Sequence, residues 1–556
     1  MKTNITKAIL GTAAALLLTG CNDFLTVSPE DKLVTENYYT SAEMIRANTA
    51  ALYSHYEWKN YAMNFQWKFD MLAGDMYYTY SEEGQFYFGN FSNGNTYLRE
   101  GWNGLYNVIG VANTIINDMP GPAASNNVPE ADIIQGLAEA RCIRGVCYFL
   151  LSQYWGAVPI ISNGAEMVSS GNFQVPRNTR ESVYKFAERD LQYAYEHLPE
   201  SDAQAGRATK WTALAYLAKL HLTMASEAGR SNRQELYAKA AREADDVLTL
   251  SGLPDIKTID YSTLFDKEGN NGPESLLAIQ CMVYGYGYGN GRNCAFARTS
   301  LADQAWGNGK GPTVSLQKSY ASNDLRTKWV YMSTGFNYPN IEKSKGGYTY
   351  SIYDADRGDE ANEMLAHIKK YVLGHSADVE GGIGGAQDAP NNIYLMRLAD
   401  VNLIYAEAVM GTANSTSDQS AIDRVNGVRA RAGLAGYHAP MTWEQLISER
   451  RREFAIEGNN WFDVLRWYYR DPQGALVYLN AMNRHQMYVR NNNVSESQLA
   501  NPDSYHLASS KAEGGQYDAT DITLTLNSFV MPIPANVLTA SPQLADDPVE
   551  YEFTEE

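Results

Sequence analysis

Residues 210–225, KWTALAYLAKLHLTMA, and residues 234–250, QELYAKAAREADDVLTL, decide the predicted fold. Both segments carry apolar residues at the spacing of an α-helix that buries one face. An equivalent pair occurs earlier in the chain, at residues 138–154 and 179–198. Glycine or proline follows the segments of each pair, and these residues end helices. The sequence therefore predicts two successive helix-turn-helix units.

Small and aromatic residues recur at matching places in these two units. GVCY at residues 145–148 corresponds to ALAY at residues 213–216, and the small residues allow the second helix of each unit to approach closely. Units of this kind resemble tetratricopeptide repeats, in which stacked helix pairs bury a continuous core. Two more pairs are predicted, namely 41–56 with 102–119 and 393–410 with 418–432.

The amino-acid composition changes between the third and fourth helix pairs. Glycine, asparagine, aspartate and tyrosine dominate there, with short β-like runs such as ESLLAIQCMV at residues 274–283. A loop region of this length is usually functional or disordered, and its high aromatic content argues against disorder. The predicted fold is mainly α, with about four tetratricopeptide-like helix pairs that support a loop-rich region with short β-strands. We predict one domain over 21–556, with its scaffold at 36–252 and 391–468 and its loop-rich subregion at 253–390 and 469–530.

The N-terminus, MKTNITKAILGTAAALLLTGCNDF, has the order of a bacterial lipoprotein signal. Lys2 and Lys7 precede an apolar run that is too short for a permanent transmembrane helix. Small residues then lead into Cys21, which predicts removal of residues 1–20 and attachment of lipid to the Cys21 thiol. The alternative is an ordinary secretory peptide with an unrelated cysteine. We expect a protein that is anchored to a membrane by its lipid and is not embedded in it.

Charge and motif content restrict the possible functions. Removal of the signal changes the formal net charge from −19 to −21, because two lysines are lost. An acidic surface repels phosphate backbones, so we expect no nucleic-acid partner. The sequence contains no nucleophile motif, zinc motif or phosphate-binding loop that would indicate an enzyme.

Four cysteines remain in addition to the lipidation candidate. Cys142 and Cys147 lie five apart in a predicted helix and point to different faces, which predicts free and buried thiols. Cys281 and Cys294 bracket a glycine-rich stretch. They either form a disulfide in an oxidising compartment or remain free, and the sequence does not decide between the two.

Tyrosine is unusually frequent, with 39 residues against 16 phenylalanines. Tyr284, Tyr286 and Tyr288 alternate with glycines in YGYGYG, and Trp306 is followed by another glycine-rich run. Aromatic faces on a permissive backbone suit a partly hydrated surface on which a sugar ring can lie. The alternative is a strand whose aromatic face is packed against helices.

Several sequence blocks, in their order along the chain, resemble the SusD/RagB family of outer-membrane lipoproteins from Bacteroidota. The resemblance implies a lipid-anchored protein of the outer membrane and cell surface that is not an enzyme. It also implies capture of an oligosaccharide and its delivery to a SusC-like TonB-dependent transporter. The blocks are TGCNDFL at 19–25, RCIRG at 141–145, WGAVP at 155–159, MRLAD at 396–400, YAEA at 405–408 and PIP at 532–534.

Resemblance to the family also indicates where a ligand would bind, since its ligand contacts come from two corresponding aromatic regions. Asp75 and Arg397 form a second group of candidates, because equivalent residues reach the ligand in some relatives. Their alternative is a buried salt bridge that joins a loop to the scaffold. The candidate ligand-binding residues are Asp75, Tyr77, Tyr87, Tyr284, Tyr286, Tyr288, Trp306 and Arg397.

Other functions remain open from the sequence alone. Some relatives bind peptides or host glycoconjugates, and a helical glycoside hydrolase would need only two suitably separated carboxylates. Asp354, Asp356 and Asp359 form an acidic loop that either binds a structural calcium ion or is simply solvated. We expect no other cofactor. The charge run ERRRE at residues 449–453 predicts ion pairs along one helix face.

Overall fold

The computed structural model of the protein is mainly helical in the residues it describes, which confirms the predicted fold class. Its strands are short and form antiparallel pairs. No helix in the ranges given below is long and apolar enough to cross a lipid bilayer. The described residues are 38–171, 173–283, 287–298, 300–303, 305–306, 310–354, 364–384, 387–484, 486–509 and 523–553.

Helices occur throughout the chain but are longest in the scaffold. Those before the irregular region are α1 (Ala42–Thr49), α2 (His55–Asn64), α3 (Phe69–Leu72), α4 (Ser81–Phe88), α5 (Thr96–Asp118), α6 (Pro120–Ser125), α7 (Glu130–Tyr154), α8 (Gly164–Ser170), α9 (Arg180–His197), α10 (Lys210–Ser226) and α11 (Arg233–Leu250). Short helices within that region are α12 (Arg292–Phe296), α13 (Val314–Ser319) and α14 (Thr327–Val330). Those after it are α15 (Leu398–Met410), α16 (Gln419–Arg431), α17 (Trp443–Phe454), α18 (Asn460–Arg470), α19 (Pro472–Asn480) and α20 (Ala535–Ala540).

The scaffold is a stack in which each long helix packs on the next. Helices α2, α5, α7, α9, α10, α11, α15 and α16 contact one another in that order. Gly145 shows why small residues recur, because a Cβ at this position would lie 3.0 Å from Leu191 Cγ and 3.1 Å from the Ala187 carbonyl oxygen. Gly104 is tighter still, with a Cβ only 2.5 Å from the Tyr61 nitrogen. Close approach of neighbouring helices therefore depends on these glycines.

The first predicted helix pair is wrong in its details. Residues 41–56 do not form one helix, since α1 is followed by a 3₁₀ turn at Ala50–Tyr53 and the chain restarts as α2. Ser54 separates them: its backbone is extended and its Oγ accepts a hydrogen bond from the Tyr56 N–H. It is α2 that packs on α5, whereas α1 packs on α7. A capping residue inside the apolar pattern therefore splits the segment.

The fourth predicted pair begins with a strand instead of a helix. Residues Ile393–Arg397 form β6, and α15 starts only at Leu398. Strand β6 is paired antiparallel with β1 (Ser275–Ile279), and Tyr394 lies opposite Ala278. Every residue of β6 is buried, so its sequence shows no alternation that would distinguish a strand from a helix.

Short strands and turns organise the irregular region and the chain that follows it. Strand β2 pairs with β5, β3 with β4, β7 with β8, and β9 with β10. Their bounds are β2 (Tyr331–Met332), β3 (Asn337–Tyr338), β4 (Tyr348–Thr349), β5 (His367–Ile368), β7 (Ser415–Thr416), β8 (Met441–Thr442), β9 (Tyr488–Arg490) and β10 (Tyr505–Leu507).

All four described cysteines are buried and carry free thiols. Cys142 and Cys147 confirm the prediction made for α7. Cys281 and Cys294 are not joined, which settles the alternative that the sequence left open. The Cys294 Sγ lies 3.0 Å from the Gly291 carbonyl oxygen, and the Cys281 Sγ lies 3.8 Å from that of Ile279.

Helix α17 contains one of the predicted helix-face ion pairs, because Arg452 lies 2.8 Å from Glu449 one turn away, but much of its charge run is buried. Glu449, Arg450 and Glu453 are all at most 1% exposed. Their other partners come from outside the helix: Glu453 lies 3.0 Å from the guanidinium of Arg326, and Arg450 lies 2.8 Å from Asp463. The run is therefore part of a buried ionic network that joins the irregular region to the scaffold.

Candidate functional site

Two exposed tyrosines stack on each other at the edge of the irregular region. The ring centroids of Tyr56 and Tyr288 are 5.1 Å apart and the rings are inclined by 20°. Tyr56 is 52% exposed and Tyr288 is 36% exposed, although aromatic rings of this size are usually well covered. We call this feature the tyrosine pair. It presents an aromatic surface to solvent and joins the first helix of the stack to the predicted ligand loop.

The loop that carries Tyr288 is held by a histidine and an aspartate. His55 Nδ1 lies 3.0 Å from the carbonyl oxygen of Gly287. Burial lowers the pKa of His55 to about 4, so the ring is neutral at pH 7 and its Nδ1–H donates this bond. Asp388 Oδ1 accepts bonds from the backbone N–H groups of Gly287 and Gly289, each at 3.2 Å. The loop therefore has a defined conformation near Tyr288.

The glycines of this loop have specific roles. Gly287 has a φ of +101°, a conformation that residues with a side chain rarely adopt. Gly289 approaches Asp388 so closely that a Cβ atom on Gly289 would lie 2.1 Å from the Cα atom of Asp388. One glycine makes the turn and the other lets two chain segments meet. The glycine backbone thus positions Tyr288 and does not simply provide flexibility.

A second aromatic surface is formed by Tyr80 and Trp306. The Tyr80 hydroxyl donates a hydrogen bond of 2.8 Å to the carbonyl oxygen of Trp306. Tyr80 is 43% exposed and Trp306 is half-buried against the core. The backbone N–H of Trp306 donates to the carbonyl oxygen of Cys294 at 3.0 Å. This bond connects the second aromatic surface to α12, which follows the loop of Tyr288.

Two lysines and one glutamate lie buried beneath Tyr80. Glu83 Oε2 accepts bonds from Lys310 Nζ at 2.9 Å and from the N–H groups of Thr79 and Tyr80 at 3.0 and 3.2 Å. Lys68 Nζ donates to the other oxygen of Glu83 at 3.3 Å. Lys310 Nζ is also 4.9 Å from the centre of the Tyr80 ring, where a cation–π contact is favourable. We call Lys68, Glu83 and Lys310 the buried charge cluster.

The pKa values of the buried charge cluster are set by burial and by the pairing of two lysines with one glutamate. Burial lowers the pKa of Lys68 to about 7, and the positive charge of Lys310 adds to this, because the opposing effect of Glu83 and Glu100 is smaller. Burial acts to raise the pKa of Glu83, but the two lysines outweigh it and lower the pKa to about 2. Glu83 is therefore ionised at pH 7 and fixes the turn that carries Tyr80.

Asp75 does not lie on an exposed surface, which corrects its prediction as a ligand contact. Its side chain is fully buried, and Arg451 Nε donates to Asp75 Oδ1 at 2.6 Å. Asn460 Nδ2 donates to Asp75 Oδ2 at 2.6 Å. The salt-bridge alternative describes this residue, because its oxygens are occupied by groups of α17 and α18 that anchor the first loop.

Arg397 is also internal. It is 1% exposed and lies at the end of β6, where its guanidinium bonds to three carboxylates. The distances are 3.0 Å to Glu453 and 2.6 Å to Glu457, and the third partner is Glu274. A ligand cannot approach a group in this environment without disrupting the ionic network, so the salt-bridge alternative again describes the residue.

Tyr77 and Tyr87 are buried, which corrects their prediction as ligand contacts. Tyr77 is 8% exposed and Tyr87 is 2% exposed. Their ring centroids are 5.1 Å apart, and the Tyr87 hydroxyl donates to the carbonyl oxygen of Arg484 at 2.5 Å. Of the candidates in the described residues, Tyr288 and Trp306 therefore remain at the surface.

Other predicted site residues fall outside the described part of the chain. They are Tyr284 and Tyr286 of the ligand loop, Asp356 and Asp359 of the acidic loop, and the lipidation candidate Cys21. Asp354 is described, and calcium binding by this loop stays a prediction. Within the described ranges, no group of three or more histidine, cysteine or acidic side chains is arranged to hold a metal ion.

Sequence reasoning missed Tyr56. This residue lies in a segment with helical periodicity, so it was assigned to the scaffold. The tyrosine pair depends on the start of α2 after Ser54 and on Tyr288, a residue 232 positions away in the chain. A tyrosine on the second residue of a helix carries no local signal of such a contact.

Matches to known proteins agree with the fold and place the chain in a family. A family model described as "SusD family" matches residues 232–549, and one described as "Starch-binding associating with outer membrane" matches residues 23–222. A SusD-like protein of Bacteroides ovatus is 31% identical over 569 residues and covers 99% of each chain. The chain therefore belongs to the SusD family, whose members are associated with the outer membrane and bind carbohydrate.

Solved structures give the same result. One that contains a xylogluco-oligosaccharide superposes with a TM-score of 0.77 at 29% identity and covers 92% of this chain and all of the other. A laminarin-binding SusD-like protein superposes with a TM-score of 0.64 at 21% identity, over 91% and 99% of the two chains, which shows the shared fold. A more distant relative, the starch-binding protein SusD of Bacteroides thetaiotaomicron, is 22% identical over 386 residues, 62% of this chain and 66% of the relative.

Proposed function

We propose that the protein captures a neutral oligosaccharide or polysaccharide on the tyrosine pair and on the surface of Tyr80 and Trp306. The observation that carries this proposal is the stacked exposure of Tyr56 and Tyr288. Rings of this kind offer flat apolar faces to the C–H groups of a sugar and leave its hydroxyls in water. A family relative solved with a xylogluco-oligosaccharide supports a glycan in preference to a peptide.

Binding without catalysis is the activity that this surface supports. The described carboxylates beneath it are engaged: Glu83 pairs with two lysines, and Asp388 holds the Tyr288 loop. Incubation with a glycan panel should release no new reducing ends. Appearance of reducing ends in proportion to enzyme concentration would instead support the glycoside hydrolase.

We further propose that Cys21 carries lipid at the outer face of the outer membrane and that the captured glycan passes to a SusC-like TonB-dependent transporter. The lipoprotein signal and the outer-membrane description of the family support this assignment. Co-purification of the transporter with the tagged protein from native membranes is the test. Recovery of the protein alone from gently solubilised membranes would contradict it.

The glycan surface is tested by separating binding from stability. Tyr288→Ser and Trp306→Ala should each weaken retention in a polysaccharide affinity gel, because a lost stacking ring removes on the order of 1 kcal/mol of ligand contact, or about fivefold in affinity. Phe173→Ser is the control, since Phe173 is 54% exposed but lines a different groove beside α5 and α20.

Melting temperatures complete the test. Both rings are only partly buried, so each variant should lose much less stability than the roughly 3–5 kcal/mol that truncation of a core aromatic ring costs. Normal retention by both variants would refute the proposed surface. Early melting with normal retention would show instead that the rings are part of the core.

A further inference from the structure

We propose that a cleft beside the tyrosine pair binds one further neutral sugar unit of the same glycan chain. This inference rests on the proposed function, which it extends from a flat surface to a recessed subsite. We call the feature the amide cleft, because Asn270, Asn271, Gln280 and Asn392 form one of its walls. Its volume is about 510 Å³, within the range of about 300–1,000 Å³ that is usual for small-molecule sites.

The amide cleft lies next to the tyrosine pair. Met282 lines the cleft, and its backbone N–H donates a 2.8 Å bond to the carbonyl oxygen of Tyr288. Ser54 lines it too, and its Oγ accepts a bond from the N–H of Tyr56 at 3.3 Å. Each tyrosine is therefore attached directly to a residue of the cleft wall. Met282 is 44% exposed and adds an apolar contact at the boundary between the two.

Three amide side chains in the wall hold one another in place. Asn271 Nδ2 donates to Gln280 Oε1 at 2.8 Å, and Gln280 Nε2 donates back to Asn271 Oδ1 at 3.0 Å. Asn392 Nδ2 donates to both of these oxygens, at 3.2 and 3.0 Å. Asn392 Oδ1 in turn accepts a bond from the N–H of Cys281 at 2.9 Å. Such a network fixes the amides before a ligand arrives, so less entropy is lost on binding.

The network leaves hydrogen-bonding capacity for a ligand. An amide nitrogen carries two N–H bonds, and the described contacts of Asn271 Nδ2 use one of them. Gln204 adds a further exposed amide to the lining of the cleft. Amides both donate and accept hydrogen bonds, as sugar hydroxyls do, which suits recognition of a polyhydroxylated ring.

Charge in the cleft indicates a neutral ligand. Arg207 is the one charged residue among the described residues of its lining, and its side chain is nearly buried. Its guanidinium donates to Glu139 at 2.8 Å, to Thr49 at 2.6 Å and to Gln204 at 3.0 Å. A positive group compensated in this way does not select a uronate or a sulfate. The geometry therefore points to a neutral hexose or pentose unit.

The test uses ladders of neutral xyloglucan- and laminarin-derived oligosaccharides of increasing length, measured by calorimetry on the mature protein. The affinity of the wild-type protein should rise when the oligosaccharide becomes long enough to reach from the tyrosine pair into the cleft. Asn271→Ala, which removes the amide donor, and Ala205→Leu, which adds bulk to the lining, should both abolish this rise. One or two lost hydrogen bonds correspond to about 3–10-fold in affinity.

Ala203→Leu is the matched control, because Ala203 lies in the same exposed loop but does not line the cleft. Short oligosaccharides, which occupy the tyrosine pair alone, should bind all variants equally. Melting temperatures show whether Asn271→Ala is folded, and Ala205→Leu tests the cleft without touching the amide network.

Each outcome decides a separate claim. If both cleft variants keep the full increase in affinity with oligosaccharide length, the amide cleft is not a subsite, although the proposed function stands. Tighter binding of an acidic uronate ladder than of the neutral ladders would overturn the assignment of a neutral ligand. Failure of the wild type to bind any neutral glycan would overturn the proposed function and this inference with it.

Discussion

Replacement of Glu83 by glutamine is the sharpest test of the surface around Tyr80. The variant keeps the shape of the side chain but removes the charge that compensates Lys68 and Lys310. Both lysines are at most 3% exposed, so any positive charge that they carry loses its direct carboxylate contact inside the protein. We therefore expect lower stability and a displaced Tyr80.

The size of the effect follows from the pKa of Glu83. Its pKa falls from 4.5 to about 2 on folding, which corresponds to about 3 kcal/mol at pH 7. Breaking a buried pair typically costs about 3–5 kcal/mol, in agreement with this value. With an unfolding entropy of about 2.1 cal/mol/K per residue over roughly 500 residues, the melting temperature should fall by about 3 °C.

The pH dependence has a defined sign. Glu83 has a lower pKa in the folded chain than in the unfolded chain, so its stabilising effect is complete above about pH 4.5 and is lost as the pH falls towards 2. The difference in melting temperature between wild type and Glu83→Gln should therefore shrink as the pH falls below about 4.5.

Differential scanning fluorimetry from pH 7 to pH 3 measures both quantities, and the affinity gel measures glycan retention in parallel. Glu82→Gln is the control, since Glu82 precedes Glu83 in α4 but accepts bonds from Thr96 instead of from lysines. Equal melting temperatures for Glu83→Gln and Glu82→Gln at pH 7 would refute the stabilising role assigned to the ion pairs of Glu83. A difference between wild type and Glu83→Gln that stays unchanged at pH 3 would refute the assigned cause.

Three further outcomes are expected. Arg397→Met should lower stability by about 3–5 kcal/mol in urea unfolding, because three carboxylates lose their shared partner, and near-normal stability would contradict the buried network. Cys21→Ala should release the protein from membranes, as seen by fractionation, without changing its melting temperature from that of the delipidated wild type. A thiol reductant should leave the melting temperature unchanged, since Cys281 and Cys294 are free, and a large decrease would reveal a disulfide.

Local sequence was sufficient to predict most of the helical scaffold. Helices α9, α10 and α11 were predicted within two residues at each end, because each has an apolar stripe at helical spacing and a clear end signal. Family motifs spread along the whole chain identify the SusD family from the sequence alone. These features depend on residues that are close together in sequence, so one sequence suffices to find them.

Tertiary structure alone decided which residues form the surface. Asp75, Tyr87 and Arg397 have the right chemistry for a ligand site, but contacts from segments more than 50 residues away bury them. Tyr56 gave no local signal, and it forms the tyrosine pair only because α2 starts after Ser54 and Tyr288 stacks on it. Sequence periodicity reports which face of an element is apolar, whereas burial depends on what packs against that face. For loop residues and for charged side chains, that partner is set by the fold as a whole.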